Sequence, residues 1–222
     1  MSSDPLHPLV IAVDGPAASG KGTIARALAG HFGLPHMDTG VLYRAVALNL
    51  TRWGGDPASE FEALRACDVA SVPLDDPDLR SEIVGEIASR ISVYPSVRAA
   101  LLERQREFAG QPGGAVLDGR DVGTVIASDA TVKLFVTATP EIRARRRTDE
   151  LAAAGKPVRF EDVLTDIRAR DERDSGRDVA PLMQAEDALL LDTGELGKAE
   201  AIGVAIDLVN SARRQRNCAS CT

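Results

Sequence analysis

Along this chain, short runs that are apolar throughout alternate with longer stretches in which apolar residues return every three or four positions. The continuous runs are Leu9–Gly15 (LVIAVDG), Ala115–Gly119 (AVLDG), Val132–Thr139 (VKLFVTAT) and Ala188–Gly194 (ALLLDTG), with a weaker one from Leu34 (LPHMDTG). Apolar runs this short, closed by Asp or Gly, read as strands buried on both faces. The periodic stretches are Lys21–Phe32, Gly40–Trp53, Val97–Phe108, Glu141–Ala154, Phe160–Arg173 and Lys198–Arg213, and they read as helices. Strand–helix alternation predicts an α/β fold with a parallel sheet flanked by helices. Ligands of such sheets bind beyond the carboxyl ends of the strands, which is where the Asp-Gly punctuation falls.

Two regions break the alternation. Asp56–Arg90 carries VPLDDPDL, two prolines within a run of aspartates, and reads as an insertion that turns sharply. Arg145–Gly176 is dense in both signs of charge and is split into two helices by AAAGKP. Charged excursions near the carboxyl edge are candidates for lids.

The first apolar run ends directly in Gly15-Pro16-Ala17-Ala18-Ser19-Gly20-Lys21, followed by Gly22 and Thr23. This is the spacing of a phosphate-binding loop between strand and helix. Glycines let successive backbone N–H groups turn onto phosphate oxygens, the helix adds its positive end, and Lys21 reaches the terminal phosphates. The hydroxyl that usually follows the lysine arrives one position later, at Thr23. The loop predicts nucleoside triphosphate binding. A GTPase would need Asn-Lys-x-Asp, yet none of Asn49, Asn210 and Asn217 precedes a lysine, and the serine-glycine-glycine signature of transporter ATPases is missing. Phosphoryl transfer to a small acceptor remains.

The GKGT ending and the arginine-rich late segment resemble nucleoside-monophosphate kinases. MDTGVLYRAVAL (Met37–Leu48), ASRISVYPSVRAALLERQR (Ala88–Arg106), LDGRDVGTV (Leu117–Val125) and RDERDSGRDVAPL (Arg170–Leu182) narrow the resemblance to the bacterial cytidylate kinases. The resemblance covers most of the chain. It implies one phosphate-loop kinase domain over 1–222, with five parallel strands in the order 2-3-1-4-5. Within it lie a short acceptor-binding insertion (about 56–105) and an arginine-rich lid (about 145–176). It also implies transfer of the γ-phosphoryl group of ATP to CMP or dCMP. Gly15–Thr23 would hold ATP, while Thr39, Arg44, Ser89, Arg98, Arg120, Asp121, Arg170, Asp174 and Arg177 would hold CMP. Asp121 would accept from the cytosine N4 amine and repel the O4 acceptor of uracil. Arg143, Arg146 and Arg147 share a helix face, and one or more would close over the ATP phosphates. Arg147 is placed with Lys21, Arg120 and Arg177 as a catalytic group. Mg²⁺ would take Thr23 as its protein ligand, with Asp118 a weaker candidate. The family's insertion often carries a small β-hairpin, and here the corresponding part, Val69–Leu79, reads as shortened.

Composition changes this picture little. The net charge of −7 argues against general nucleic-acid binding. No apolar stretch approaches the ~20 residues a membrane span needs. The opening MSSDPLHPLV lacks the features of a secretory signal, and three cysteines, Cys67, Cys218 and Cys221, make no disulfide framework. The expectation is a cytoplasmic monomer. A kinase for UMP or a small hydroxy acid, and an ATP-binding module without turnover, are the competing readings.

Overall fold

The computed structural model describes residues 8–73 and 75–219. The sequence readings of the first seven residues and of Cys221, and of the Cys218 side chain, lie outside what is described.

Five parallel strands form one sheet: β1 (Leu9–Asp14), β2 (His36–Asp38), β3 (Gly114–Gly119), β4 (Val132–Thr137) and β5 (Leu189–Asp192), in the order β2-β3-β1-β4-β5. This is the expected order. β1 lies at the centre because it is the run with least polar character, and Ile11, Ala12 and Val13 are wholly buried. The register decides where the chemistry collects. Val13 stands beside Asp118, Asp14 beside Gly119, and Asp38 beside Asp118, so three strand-end aspartates form a row along one carboxyl edge.

Helix α1 (Lys21–Phe32) starts on the glycine-rich loop and stops where Gly33 takes a left-handed conformation that returns its N–H to Ala29 O. Helix α2 (Thr39–Trp53) is capped by Asp38, whose carboxylate accepts from Gly40 N–H. These two helices, with α5 (Pro95–Ala109), α6 (Pro140–Ala153), α7 (Phe160–Gly176) and α8 (Lys198–Ala219), are the expected ones, with ends moved by a few residues. α1 and α8 cover one face of the sheet through Leu28, Ala201, Ala205 and Val209.

The Asp56–Arg90 region departs from its sequence reading, because it is more helical than its prolines suggested. It holds α3 (Glu60–Arg65), two 3-10 turns (Val69–Ser71 and Pro77–Arg80) and α4 (Glu82–Ile91). Val84, Ala88 and Ile91 make one buried stripe on α4, and Ser81 caps it by accepting from Val84 N–H. That stripe was visible in the sequence, but it spans too few turns to stand out against the flanking charges. α2, α4 and the start of α5 enclose a core of their own, including Leu42, Val46, Leu50, Ile91, Val97 and Leu101. α6 and α7 share a smaller apolar seam of Ala144, Leu151, Val163 and Ile167. The sheet, the α2–α5 unit and the α6–α7 hairpin therefore each have their own packing, and a cleft at the carboxyl edge lies among them.

Candidate functional site

The glycine-rich loop is built by close approach. A Cβ on Gly15 would stand 2.0 Å from Val136 O, so only glycine lets the chain leave β1 against β4. Ala18 and Gly20 have φ of 58° and 88°, left-handed values that curl the loop around a central space. Lys21 Nζ bridges the loop mouth by donating to Pro16 O at 3.2 Å. Burial, with Arg120 nearby, pulls the Lys21 ammonium down to about 7. Thr23 lies in the first turn of α1, half-buried. The Ser19 hydroxyl is buried inside the loop with no hydrogen-bond partner among the described residues.

Carboxylates from the neighbouring strands face this loop. Asp118 Oδ2 sits 3.4 Å from where a Cβ on Gly22 would stand, and its other oxygen pairs with His36 Nε2 at 2.7 Å. Burial and the adjacent Asp118 raise the Asp38 carboxyl. Asp14, one residue before the loop, is buried and accepts from Val122 and Gly123 N–H at 2.8 and 2.7 Å. Those amides open the π-helical turn Val122–Ile126 that follows Gly119-Arg120-Asp121, so one carboxylate joins the two motifs. Its burial raises Asp14 to about 6 despite both hydrogen bonds.

Across the cleft, arginines outnumber their carboxylate partners. Arg120 Nε donates to Asp174 Oδ2 at 2.7 Å, and Arg170 Nε lies 4.0 Å from the same oxygen. Arg98 pairs with buried Asp121, and Arg177 Nη2 lies 3.6 Å from that carboxylate's other oxygen. Burial would raise Asp174, but Arg120 and Arg170 outweigh it and hold the carboxyl below its usual range. Burial and Arg120 bring Arg170 down to about 10. Desolvated guanidiniums crowded at this density need an anion, and two aspartates do not neutralise them. Arg44 donates to Leu79 O at 2.8 Å and Ser81 O at 3.4 Å, which anchors it to the segment leading into α4. Thr39 Oγ1 donates to Asp118 O at 2.9 Å, and Ser89 is buried on α4. A cavity of about 140 Å³ beside Asp121 is lined by Tyr43, Arg98, Gln105 and Ala180 among others.

The fold thus brings Thr39, Arg44, Ser89, Arg98, Arg120, Asp121, Arg170, Asp174 and Arg177 to one side of the cleft and Gly15–Thr23 to the other. The three arginines of α6 part company. Arg143 and Arg146 are taken up behind the loop, with Arg143 Nη1 on Ala17 O and Arg146 on Thr193. Arg147 alone reaches away, to Glu82 on α4 and to Glu150 at 2.9 Å.

A family model described as cytidylate kinase matches residues 11–211. A cytidylate kinase of Xanthobacter autotrophicus is 56% identical over 210 residues, covering 94% of this chain and all of that protein. One from Azorhizobium caulinodans is 55% identical over 207 residues, covering 92% of this chain and all of its own length. The chain belongs to the cytidylate kinase family. A crystal structure of an uncharacterized protein from Eubacterium ventriosum superposes with a TM-score of 0.56 at 15% identity, over 92% of this chain and 99% of that one, which is a likeness of fold.

Within this member of the cytidylate kinase family, several residues around the cleft escaped the sequence reading. A Cβ on Gly85 would stand 2.9 Å from Arg44 Nη2, so the arginine crosses α4 only where a side chain is absent. Arg173 Nη2 lies 3.4 Å from Ser89 Oγ, and its Nε is buried without a hydrogen-bond partner among the described residues. The Arg98 guanidinium lies 5.7 Å from the Tyr43 ring centre. Arg173 carried a weak signal, since it falls beside Arg170, Asp174 and Arg177 in the sequence. Gly85 carried none, because a glycine inside a helix is read as a local weakness until its neighbour is known.

Proposed function

We propose that this chain carries out the reaction of its family, phosphorylation of CMP and dCMP by ATP, with Gly15–Thr23 as donor site and the arginine cleft as acceptor site. The observation that carries the reading is Asp121, buried between Arg98 and Arg177 at the base of that cleft. Paired with Arg98, the Asp121 carboxylate offers a base only acceptor oxygens. It therefore suits the N4 amine of cytosine and opposes the O4 of uracil. Arg98 and Ser89 offer donors to the ring acceptors of the same base.

The acceptor phosphate is itself the nucleophile, so no covalent enzyme intermediate is needed. Arg44, Arg120 and Arg177 hold this dianion and offset its repulsion from the triphosphate, while Arg170 and Asp174 take the sugar and Asp174 also aims Arg120. Lys21 lies on the donor side and bears on the terminal phosphates. Arg147 leaves Glu82 when the α6–α7 lid moves over the donor, and its charge joins those around the transferring group. The α3–α5 insertion and this lid exclude water from between the reactants.

The oxygen donors at the loop fit Mg²⁺, namely the Thr23 hydroxyl with Asp118 and Asp38 close by. Among the described residues no group of three or more His, Cys, Asp or Glu could hold a metal. A metal here would draw the rest of its shell from phosphate and water, which is the habit of Mg²⁺. When bound, Mg²⁺ neutralises the triphosphate oxygens. We take the working form to be a cytoplasmic monomer. No helix of the described residues is long and apolar enough to cross a membrane.

The test is ADP release from Mg·ATP with CMP, dCMP, UMP, AMP and shikimate supplied one at a time. Fast turnover with CMP and dCMP, slow with UMP and negligible with the others is expected. Equal rates with CMP and UMP would remove Asp121 as the base reader, and turnover with none would remove the reading altogether.

A further inference from the structure

The glycine-rich loop is gripped from behind as well as open in front. Ala17 O accepts from Arg143 Nη1 at 3.2 Å, and Ser19 O accepts from Thr193 Oγ1 at 3.0 Å. Every peptide bond described is trans, and in a trans peptide the C=O and the following N–H point to opposite sides. Fixing the Ala17 carbonyl outward therefore turns the Ala18 N–H inward. Fixing the Ser19 carbonyl does the same for the Gly20 N–H.

Both supports are fully committed to this task. Arg143 is 2% exposed. Its Nε donates to Ala138 O at 2.9 Å, and its two terminal nitrogens grip Asp171 of α7 at 3.0 and 2.5 Å. Thr193, on the turn after β5, is also buried. Its one hydroxyl proton has two acceptors in reach, Ser19 O at 3.0 Å and Thr137 O at 3.1 Å, and Thr137 O is already served by the Thr193 backbone N–H at 2.8 Å, which favours Ser19 O. The hydroxyl oxygen accepts from Arg146 Nη1 at 2.9 Å, and Arg146 Nη2 donates to Thr193 O at 2.6 Å, which fixes the rotamer. The loop needs such support, because Ala18 at φ 58° is a non-glycine residue in a conformation that costs roughly 1–2 kcal/mol.

We infer that Arg143 and Thr193 are positioning residues of the donor site, holding the loop's carbonyls outward so that the Ala18 and Gly20 amides converge on the ATP phosphates. Arg143 also ties the loop to α7 through Asp171, so the lid hairpin and the phosphate loop share one anchor. This inference rests on the reading of Gly15–Thr23 as the ATP loop.

The experiment measures the dissociation constant of Mg·ATP by calorimetry and the KM for CMP at saturating ATP, in Thr193→Val, Thr193→Ser and Lys21→Ala, each checked for folding by its melting temperature. Thr193→Val keeps the shape and deletes the donor, and it should weaken ATP about tenfold while leaving the KM for CMP within about twofold. Thr193→Ser restores the hydroxyl and should bring ATP affinity back to within about threefold of the parent. A folded Thr193→Val that binds ATP as the parent does, or a Thr193→Ser as weak as the valine variant, overturns the inference. Should Thr193→Val not fold, Asp171→Asn tests the Arg143 anchor by the same split between ATP and CMP. Parental ATP affinity in Lys21→Ala would instead overturn the loop reading beneath it.

Discussion

The proposed donor loop is one unbroken stretch, Gly15–Thr23, and it would take its ligand mostly with backbone N–H groups. The acceptor cleft draws its side chains from α2, α4, α5, the turn after β3 and α7. On this proposal both would hold phosphate, but they differ in what keeps them in shape. The loop depends on glycine geometry and on carbonyls fixed from behind by Arg143 and Thr193. The cleft depends on mutual restraint, because Asp174 and Asp121 aim arginines that would otherwise repel one another. A backbone site is rigid before its ligand arrives. A side-chain site made of like charges is balanced only when the anion enters, and that suits the half of the enzyme that must choose among acceptors.

The sharpest way to break this comparison is Lys21→Ala, which removes the one charged side chain within Gly15–Thr23. It should lower kcat by at least ~100-fold with folding intact, measured by coupled ADP release. A smaller loss, with ATP affinity still weakened, would mean that Lys21 binds the phosphates without stabilising their transfer. Next in size, Asp121→Ala should reduce the preference for CMP over UMP by roughly 10–100-fold, read as the ratio of kcat/KM values. An Asp121→Ala enzyme that still rejects UMP would assign base reading to Ser89 and Arg98. Gly85→Ala comes third. Its new methyl displaces the Arg44 guanidinium, so the KM for CMP should rise about tenfold while ATP affinity holds, because the change touches only the acceptor side.

The smallest effect is a fraction of a proton. Lys21 is lowered from its ordinary 10.5 to about 7 in the free enzyme, so it is largely neutral at pH 8. Phosphates favour its charged form, so ATP binding at pH 8 should take up protons. The uptake is read from the dependence of binding enthalpy on buffer ionisation heat and should vanish in Lys21→Ala. The same depression sets the sign for stability. Charging a desolvated Lys21 opposes folding, so its contribution is favourable above the unfolded value and is lost as pH falls through about 7.

The strands, the six long helices and the phosphate loop were legible because each is a local pattern. An apolar run ending in Gly-x-x-x-x-Gly-Lys fixes strand, turn and helix start together. The proposed acceptor residues rest on resemblance, since Ser89 or Arg98 taken alone looks like ordinary surface. α3 and α4 were given no bounds from the sequence. Their apolar stripes are short, and their stability comes from the core shared with α2 and α5 rather than from their own sequence.

The arginines of α6 show where the sequence stopped. Their spacing put Arg143, Arg146 and Arg147 on one helix face and made them equivalent candidates for the lid. Packing separates them: Asp171 and Ala17 O claim Arg143, Thr193 claims Arg146, and Arg147 reaches Glu82 on α4 instead. By itself the sequence determined the α/β alternation, the loop, and the supply of arginine and aspartate. Only the tertiary structure decided which arginine supports the loop and which faces the cleft. Helical periodicity fixes the direction of a side chain, but a guanidinium goes to whichever distant carbonyl or carboxylate the fold places within its reach.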